Sequence, residues 1–421
     1  MSEYSNRRDK LLELVPEGSL LVIHSGVSKI ASEDENYDFV VNNNFFYLTG
    51  IRQENSCLML VKNLGLTKTY LFIDEFDELK EKWTGKRLTM EEASMISDIK
   101  NVLTNNVLES KIELALQEGS THFGIIKKMY LDLTPELKIA DCMSTQDYKL
   151  LIEANFPHIQ VYDMHFLCGS LRMVKSQYEI ERIKEAINLT QRGINRCLMN
   201  LKPQMYEYQL ANIFEFYGKD HDKSGLAFPS IVASGKNATI LHYPQQMDRI
   251  KEGDLVLFDV GYNYKDYNGD ISRTFPISGR FNDIQKLIYS LVLLCNKSII
   301  SYIKPGLTIA DLQAHAMEFY KRELPKAGLL GPNEDVRDFY FHSCSHHLGL
   351  DTHDLSDRNT PLEPGNVITV EPGLYMKKYG VGVRIEDDVL ITNDGCEVLS
   401  RGIPKEVEDV EQLVQSCRKI Y

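Results

Sequence analysis

Short apolar runs separated by polar turns dominate the first part of the chain. Runs rich in β-branched or aromatic residues predict strands at 19–24, 57–61 and 69–74. Helical spacing of apolar residues predicts helices at 7–14, 91–96 and 149–153. This alternation predicts an α/β domain, and its isolated histidines, His24, His122, His158 and His165, are interpreted as structural.

The pattern changes near residues 171–175. Ser176 and Glu179 form a capping box that opens a long helix, in which isoleucines and leucines repeat at helical spacing. The segment 202–217, a Lys-Pro pair leading into a helix that ends Glu-Phe-Tyr, is matched by 304–320. The sequence therefore predicts two similar α+β halves between residues 176 and about 400, followed by a charged terminal helix at 405–421.

Each half also contains a β-branched run that ends in a carboxylate. Asp259 ends the first run and Glu371 the second, and a returning strand carries Asp270 in one half and Glu386 in the other. With turns near 264–265 and 378–379, Asp259 is expected to face Asp270, and Glu371 to face Glu386. Four carboxylates on one face repel each other unless a cation neutralises them.

Histidines accumulate close to these carboxylates. His342, His346 and His353 precede the second hairpin, and His242 precedes the first. Each residue alone is explained well enough as a turn or loop residue. Together they favour a divalent metal site, since oxygen and imidazole ligands suit Mn, Fe, Co or Zn. Two bridged metals can share a water and lower its pKa.

Arg384 and Cys344 complete the polar positions of this region. Arg384 lies two residues from Glu386, so it shares that strand face and can orient a carboxylate. Cys344 receives only a packing role, because a thiolate is an unusual ligand among hard oxygens.

Composition narrows the choice of partners and compartment. The 421 residues carry a net charge of −13, which disfavours nucleic acid and anionic membrane as partners. The amino terminus lacks an apolar signal core, and apolar runs stay short of membrane-spanning length. Eight scattered cysteines without a Cys-x-x-Cys pair are typical of free thiols, so we expect a cytoplasmic protein.

These motifs resemble those of the proline-specific metallopeptidases, the family of aminopeptidase P and prolidase. The similar segments are His342-Ser-Cys-Ser-His346, Gly349-Leu-Asp-Thr-His353, Glu371-Pro-Gly and Arg384-Ile-Glu386, with Asp259 and Asp270 upstream. In the first part, Arg7-Arg8, the run 43–50 and Trp83-Thr-Gly-Lys-Arg87 are similar to the amino-terminal domain of aminopeptidase P. Ser343-Cys344 depart from the Gly-Thr that is more usual there, which bears on substrate preference.

The resemblance implies a fold and a set of roles. Residues 1–173 would form an α/β amino-terminal domain, and residues 174–421 an α+β "pita-bread" catalytic domain with an internal pseudo-two-fold repeat. The family pattern makes five side chains ligands of two divalent ions, usually manganese: Asp259, Asp270, His346, Glu371 and Glu386. It places His242, His342 and His353 in substrate binding and proton handling, and we add Glu371 and Arg384 to the catalytic set.

The implied activity is that of an Xaa-Pro aminopeptidase. It would use a metal-bridging water or hydroxide to hydrolyse the bond between an amino-terminal residue and a following proline. A prolidase limited to dipeptides, a metal-free enzyme of the creatinase type and a catalytically inactive peptide-binding module remain alternatives. Trp83, the only tryptophan, stands in a polar run, so we also expect a homodimer or homotetramer in which this segment lies at a subunit boundary.

Overall fold

The computed structural model describes residues 2–33, 35–134, 137–139, 143–221 and 225–418. The chain divides into two compact units, Met1–Leu171 and Arg172–Tyr421. This division lies two residues before the domain boundary that the sequence suggested.

Helices occur in both units, and most begin at a side-chain cap. They span Glu3–Glu13 (α1), Asn43–Thr49 (α2), Glu78–Thr84 (α3), Met90–Ser97 (α4), Leu108–Leu116 (α5), Thr145–Asn155 (α6), His165–Met173 (α7), Gln177–Asn200 (α8), Glu207–Asp220 (α9), Asp283–Tyr302 (α10), Ile309–Lys326 (α11) and Val407–Arg418 (α12). The capping box predicted for α8 is formed by Ser176 and Glu179, and Thr308 and Asp311 form one at α11. The terminal helix is confirmed as α12, although its last predicted residues, 419–421, lie outside the described part of the chain.

The first unit is organised around a mixed sheet. Its strands are Ser19–His24 (β1), Ile30–Ser32 (β2), Glu35–Asn36 (β3), Cys57–Asn63 (β4), Leu66–Ile73 (β5), Asn101–Thr104 (β6), Lys128–Leu131 (β7) and Gln160–Asp163 (β8). Six of them form the sheet in the order β6-β5-β4-β1-β7-β8. The fully buried β1 pairs antiparallel with β4 and parallel with β7, which explains its uninterrupted apolar run. The predicted α/β class is confirmed here.

The second unit repeats one order of elements. Its strands are Gly225–Leu226 (β9), Ile231–Ser234 (β10), Leu255–Val260 (β11), Tyr262–Tyr264 (β12), Tyr267–Asn268 (β13), Ile271–Pro276 (β14), Val367–Val370 (β15), Gly373–Met376 (β16), Val381–Arg384 (β17), Asp387–Ile391 (β18) and Cys396–Val398 (β19). A long helix, a shorter helix and a hairpin follow each other twice: α8, α9 and β11–β14, then α10, α11 and β15–β18. The predicted internal repeat is therefore present.

One predicted hairpin register is right and the other is wrong. In the second hairpin Val370 pairs with Asp387 and Gly373 with Arg384, so the continued register places Glu371 opposite Glu386. In the first hairpin Asp259 pairs with Ser272, not with Asp270. The turn lies one residue later than expected, at Lys265 and Asp266, both of which adopt positive φ. Moving a turn by one residue moves the register by two, so Asp259 and Asp270 keep a common face as diagonal neighbours.

Helix hydropathy bears on membrane association. Within the described residues, none of the helices combines the length and apolar character that crossing a bilayer requires.

Candidate metal centre

All nine candidate catalytic and metal-binding residues line one cavity of the second unit, with a volume of about 1020 Å³. They are Asp259, Asp270, Glu371, Glu386, His242, His342, His346, His353 and Arg384. The strand ends of the two hairpins supply the carboxylates, and irregular segments supply the histidines.

Backbone contacts between the two halves bring the carboxylates together. Ser272 of β14 accepts a hydrogen bond at its carbonyl from the Glu386 amide (3.0 Å), at the junction of β17 and β18. The Asp270 amide donates to the buried carboxylate of Asp388 (3.0 Å). The carboxylates of Asp270 and Glu386 are therefore close in space although 116 residues separate them in sequence.

His346 reaches this cluster because its segment runs along β15. The His346 carbonyl accepts a hydrogen bond from the Thr369 amide (2.9 Å), and the Cys344 carbonyl accepts one from the Glu371 amide (2.9 Å). Ligand atoms of His346, Asp270 and Glu386 all lie within 4.8 Å of one another. His346 Nε2 is 3.5 Å from Asp270 Oδ2 and 3.5 Å from Glu371 Oε1.

The hydrogen bonding of His346 selects the tautomer that a metal ligand needs. Nδ1 lies 3.0 Å from the carbonyl oxygen of His347, so Nδ1–H donates to it. Nε2 is then the ring nitrogen that faces the carboxylates. A ligand histidine typically donates its other N–H in this way, which fixes the ring orientation.

The electrostatics of the buried carboxylates also fit a cation. Burial raises the pKa of Glu371 to about 7, with the neighbouring carboxylates adding to the effect of burial. Burial first, and nearby carboxylates second, raise the pKa of Glu386 well above its usual range. The pKa of Asp270 is raised by burial and by Asp259, against the hydrogen bond from His346. These raised pKa values mean that the carboxyl groups tend to keep their protons when no cation is bound. Divalent ions would stabilise the charged carboxylates in place of those protons, so the residues present fit a metal centre.

Arg384 connects two of the carboxylates. Nη2 donates to Asp259 Oδ2 (2.6 Å), and Nε donates to Ser272 Oγ (2.7 Å), which in turn donates to Glu386 Oε2 (2.8 Å). Sequence reasoning found Arg384 but missed Ser272. The available signal was its position two residues after Asp270, on the same strand face.

Tyr375 is a second residue that the sequence reasoning missed. Its hydroxyl lies 2.9 Å from His342 Nε2 and accepts a hydrogen bond from Arg384 Nη1 (2.9 Å). Burial lowers the pKa of His342 to about 3, so the ring is neutral. His342 Nδ1–H donates to the Ser343 carbonyl (2.7 Å), which leaves Nε2 to accept from Tyr375 O–H. No local sequence pattern marks Tyr375, because its partners lie 33 and 9 residues away.

The remaining histidines border the open part of the cavity. The ring of His353 lies 4.3 Å from that of His346, edge to face, and His242 lies on the wall formed by the loop before β11. The backbone next to His353 is held by Asp354, whose carboxylate accepts hydrogen bonds from Arg172 and from Lys175 (3.0 Å). Buried carboxylates and imidazoles that converge on one cavity define the class of protein as a metal-dependent hydrolase.

Comparison with known proteins finds matching families in both units of the chain. Residues 181–393 match the family described as "Metallopeptidase family M24", and residues 4–123 match "Aminopeptidase P, N-terminal domain". An Xaa-Pro aminopeptidase of Haemophilus influenzae is 31% identical, with 98% of this chain and 97% of the relative covered.

Solved structures extend this agreement to the fold. Aminopeptidase P from Escherichia coli, in its low-pH form, superposes with a TM-score of 0.88 at 30% identity, covering 100% of this chain and 99% of the other. A Bacillus anthracis structure provisionally assigned as an aminopeptidase P superposes with a TM-score of 0.93 at 38% identity, with 98% of each chain covered. The chain belongs to metallopeptidase family M24. The resemblance, the fold class and the metallopeptidase class predicted from the sequence are thereby confirmed.

Proposed function

We propose that this chain is an Xaa-Pro aminopeptidase, which removes an amino-terminal residue when proline follows it. The observation that carries the proposal is the convergence of all nine predicted site residues on one cavity. Full-length similarity to a relative named Xaa-Pro aminopeptidase supports it.

Five side chains would hold two divalent ions: Asp259, Asp270, His346, Glu371 and Glu386. An oxygen-rich set with one imidazole suits manganese, and also admits Co, Zn or Fe. When bound, such ions supply a water of lowered pKa and polarise a carbonyl oxygen. Arg384 holds Asp259 in place and, through Ser272, also restrains Glu386.

Catalytic roles are proposed for His242, His342, His353, Glu371 and Arg384. The two oxygens of Glu371 face different histidines: Oε1 lies 3.5 Å from His346 Nε2 and Oε2 lies 3.7 Å from His342 Nδ1. Glu371 thus connects the ligand set with the residues proposed to handle substrate. His353 and His242, on the open side, can donate hydrogen bonds to the peptide or move a proton.

The cavity also suits the peptide bond that precedes a proline. An X–Pro bond is a tertiary amide without an N–H, so a site that grips this N–H cannot use it. Recognition must then come from burial of the apolar ring. Phe228, Ile231 and Leu241 provide an apolar part of the cavity wall.

A prolidase restricted to dipeptides is the second candidate. It requires a cation that captures the product-side carboxylate, and the exposed Arg358 lines the cavity. Peptide length separates the two activities. With Mn added, we expect hydrolysis of X-Pro-Y and X-Pro-Y-Z peptides, whereas rapid cleavage of X-Pro with intact longer peptides would reverse the assignment.

An inactive peptide-binding module of the same fold is disfavoured by the intact set of ligands and histidines. Measured turnover with Mn that chelation abolishes would exclude it. Binding of X-Pro-Y peptides without any hydrolysis, in protein shown to contain metal, would instead support it.

Further proposals concern organisation and compartment. We assign residues 1–173 to the amino-terminal domain and 174–421 to the catalytic domain. We also propose a homodimer or homotetramer, supported by the 76% exposure of Trp83, which shares an exposed helix with Leu79. Six described cysteines are free thiols, which supports a cytoplasmic location: Cys57, Cys197, Cys295, Cys344, Cys396 and Cys417.

A further inference from the structure

The loop that carries His242 is irregular, yet a single buried carboxylate contacts both of its ends. Residues 240–249 contain neither helix nor strand, and five of them, Leu241, His242, Tyr243, Pro244 and Gln246, line the cavity. A loop of this kind needs contacts outside itself to present a side chain at a defined position.

Those contacts come from Glu207, the first residue of α9, which is 0% exposed. Oε1 accepts hydrogen bonds from the Ser234 amide (2.6 Å), the Ser234 hydroxyl (2.8 Å) and Asn237 Nδ2 (3.1 Å), all before the loop. Oε2 accepts from the Asp248 amide (3.2 Å) near the loop's end. The Glu207 amide also donates to the Asp248 carbonyl (3.1 Å).

Asn237 extends this network into the cavity wall. Its Nδ2 also lies 3.1 Å from the hydroxyl oxygen of Tyr243 and 3.0 Å from Asp248 Oδ2. Tyr243 is the residue after His242, so a short chain of hydrogen bonds connects Glu207 to the histidine's neighbour. Glu207 itself is not one of the described residues that line the cavity.

We infer that Glu207 is a positioning residue that fixes the His242 loop against the substrate cavity. The inference rests on the proposed function, because it concerns how the same site receives a peptide. Glu207 acts through the loop and touches neither substrate nor the proposed ligands.

Glu207→Gln keeps the shape of the side chain but changes its hydrogen bonding. The one remaining oxygen can accept from Ser234 and Asn237, and the new NH₂ group then faces the Asp248 amide, donor against donor. Burying a donor without an acceptor costs free energy, so the end of the loop at Asp248 is no longer held in place. We expect kcat/KM for an X-Pro-Y tripeptide to fall about 10–100-fold, the scale of a misplaced active-site group.

A double-mutant cycle with His242→Ala separates positioning from general stability. If Glu207 acts through the loop, Glu207→Gln should change kcat/KM less than about 3-fold in the His242→Ala background, since coupled residues are non-additive. The matched control is Glu179→Gln, another buried first-turn glutamate, whose carboxylate accepts from the Ser176 amide (2.9 Å) and the Tyr267 hydroxyl (2.9 Å). Its effect should be equal in both backgrounds.

Hydrogen–deuterium exchange of the full-length, Mn-loaded protein gives a readout independent of turnover. Peptides covering 235–249 should exchange faster in Glu207→Gln and unchanged in Glu179→Gln. If Glu207→Gln fails to fold, Asn237→Ala tests the same connection by both measurements. Additive kinetic effects or unchanged loop exchange would overturn the inference, whereas an inactive wild-type protein with loop exchange altered as expected would overturn only the proposed function.

Discussion

Arg384 donates a hydrogen bond to the carboxylate of Asp259, a candidate metal ligand, with 2.6 Å between Nη2 and Oδ2. Arg384 is 2% exposed, and its other guanidinium nitrogens donate to Ser272 and Tyr375. One side chain therefore contacts the carboxylate of a candidate ligand and, through Tyr375, a histidine proposed to contact substrate.

Replacing Arg384 should weaken metal binding as well as turnover. In Arg384→Ala the Asp259 carboxylate loses its partner, and loss of such an outer partner costs about 10–100-fold in metal affinity or activity. Calorimetric titration with Mn measures the affinity, and Arg401→Ala, at an exposed arginine, serves as the control. Unchanged affinity would show that Asp259 is not oriented by Arg384.

Removing a ligand carboxylate should remove metal. We expect Asp270→Ala and Glu371→Ala to contain less Mn after dialysis and to retain almost no activity, because the remaining carboxylates no longer complete the site. Elemental analysis measures the Mn content, and a peptidase assay measures the activity. The control is Asp283→Ala, at an exposed helix start. Full activity of either variant after chelation and dialysis would mean that the site is misassigned.

His353 should affect the reaction without affecting metal content. It lies on the open side of the cavity, and five other side chains supply the proposed ligands. His353→Ala is expected to bind two metal ions while the rate falls by about 10²–10⁴, the scale of a positioned acid–base or oxyanion group. His221→Ala, which alters a helix-end histidine, is the control. Joint loss of metal and rate would instead make His353 a ligand.

Asp132 provides a pH-dependent contribution to the stability of the first unit. Burial raises its pKa, but hydrogen bonds from His165, Thr134, Asn44 and Asn42 outweigh burial and lower the pKa to about 2. A lowered folded-state pKa stabilises the protein above the unfolded value of 3.8, and this stability is lost as pH falls from there towards 2. The contribution is about 2 kcal/mol.

Asp132→Asn should therefore destabilise most at neutral pH, and progressively less below pH about 4. Urea unfolding of the full chain at several pH values measures this difference. Asp163→Asn, at an exposed position that accepts from the backbone of Leu133 and His165, is the comparison. A destabilisation that does not vary with pH would contradict the linkage.

Trp83 should contribute to assembly. It is 76% exposed, and Leu79 and Phe76, close to it in sequence, are also exposed, so three large apolar side chains of this segment face solvent. Trp83→Glu is expected to weaken assembly in sedimentation, or to impair long peptides more than short ones, with normal metal content. Fully active wild-type protein that sediments as a monomer at micromolar concentration would end the oligomer proposal.

Local sequence patterns were sufficient to predict several structural elements of this protein. Periodicity and capping predicted β1 and the start of α8, because these signals act within a few residues. The symmetry of the second hairpin about Lys378 and Tyr379 also predicted that Glu371 faces Glu386.

The tertiary structure decided the register of the first hairpin and the contacts between distant segments. Positive φ at Lys265 and Asp266 placed the turn one residue later, so Asp259 faces Ser272. Ser272 with Glu386, and Glu207 with Asp248, join residues 114 and 41 apart. Such pairs leave no periodic signal in the sequence, because only the packing of complete helices and sheets brings their side chains within hydrogen-bonding distance.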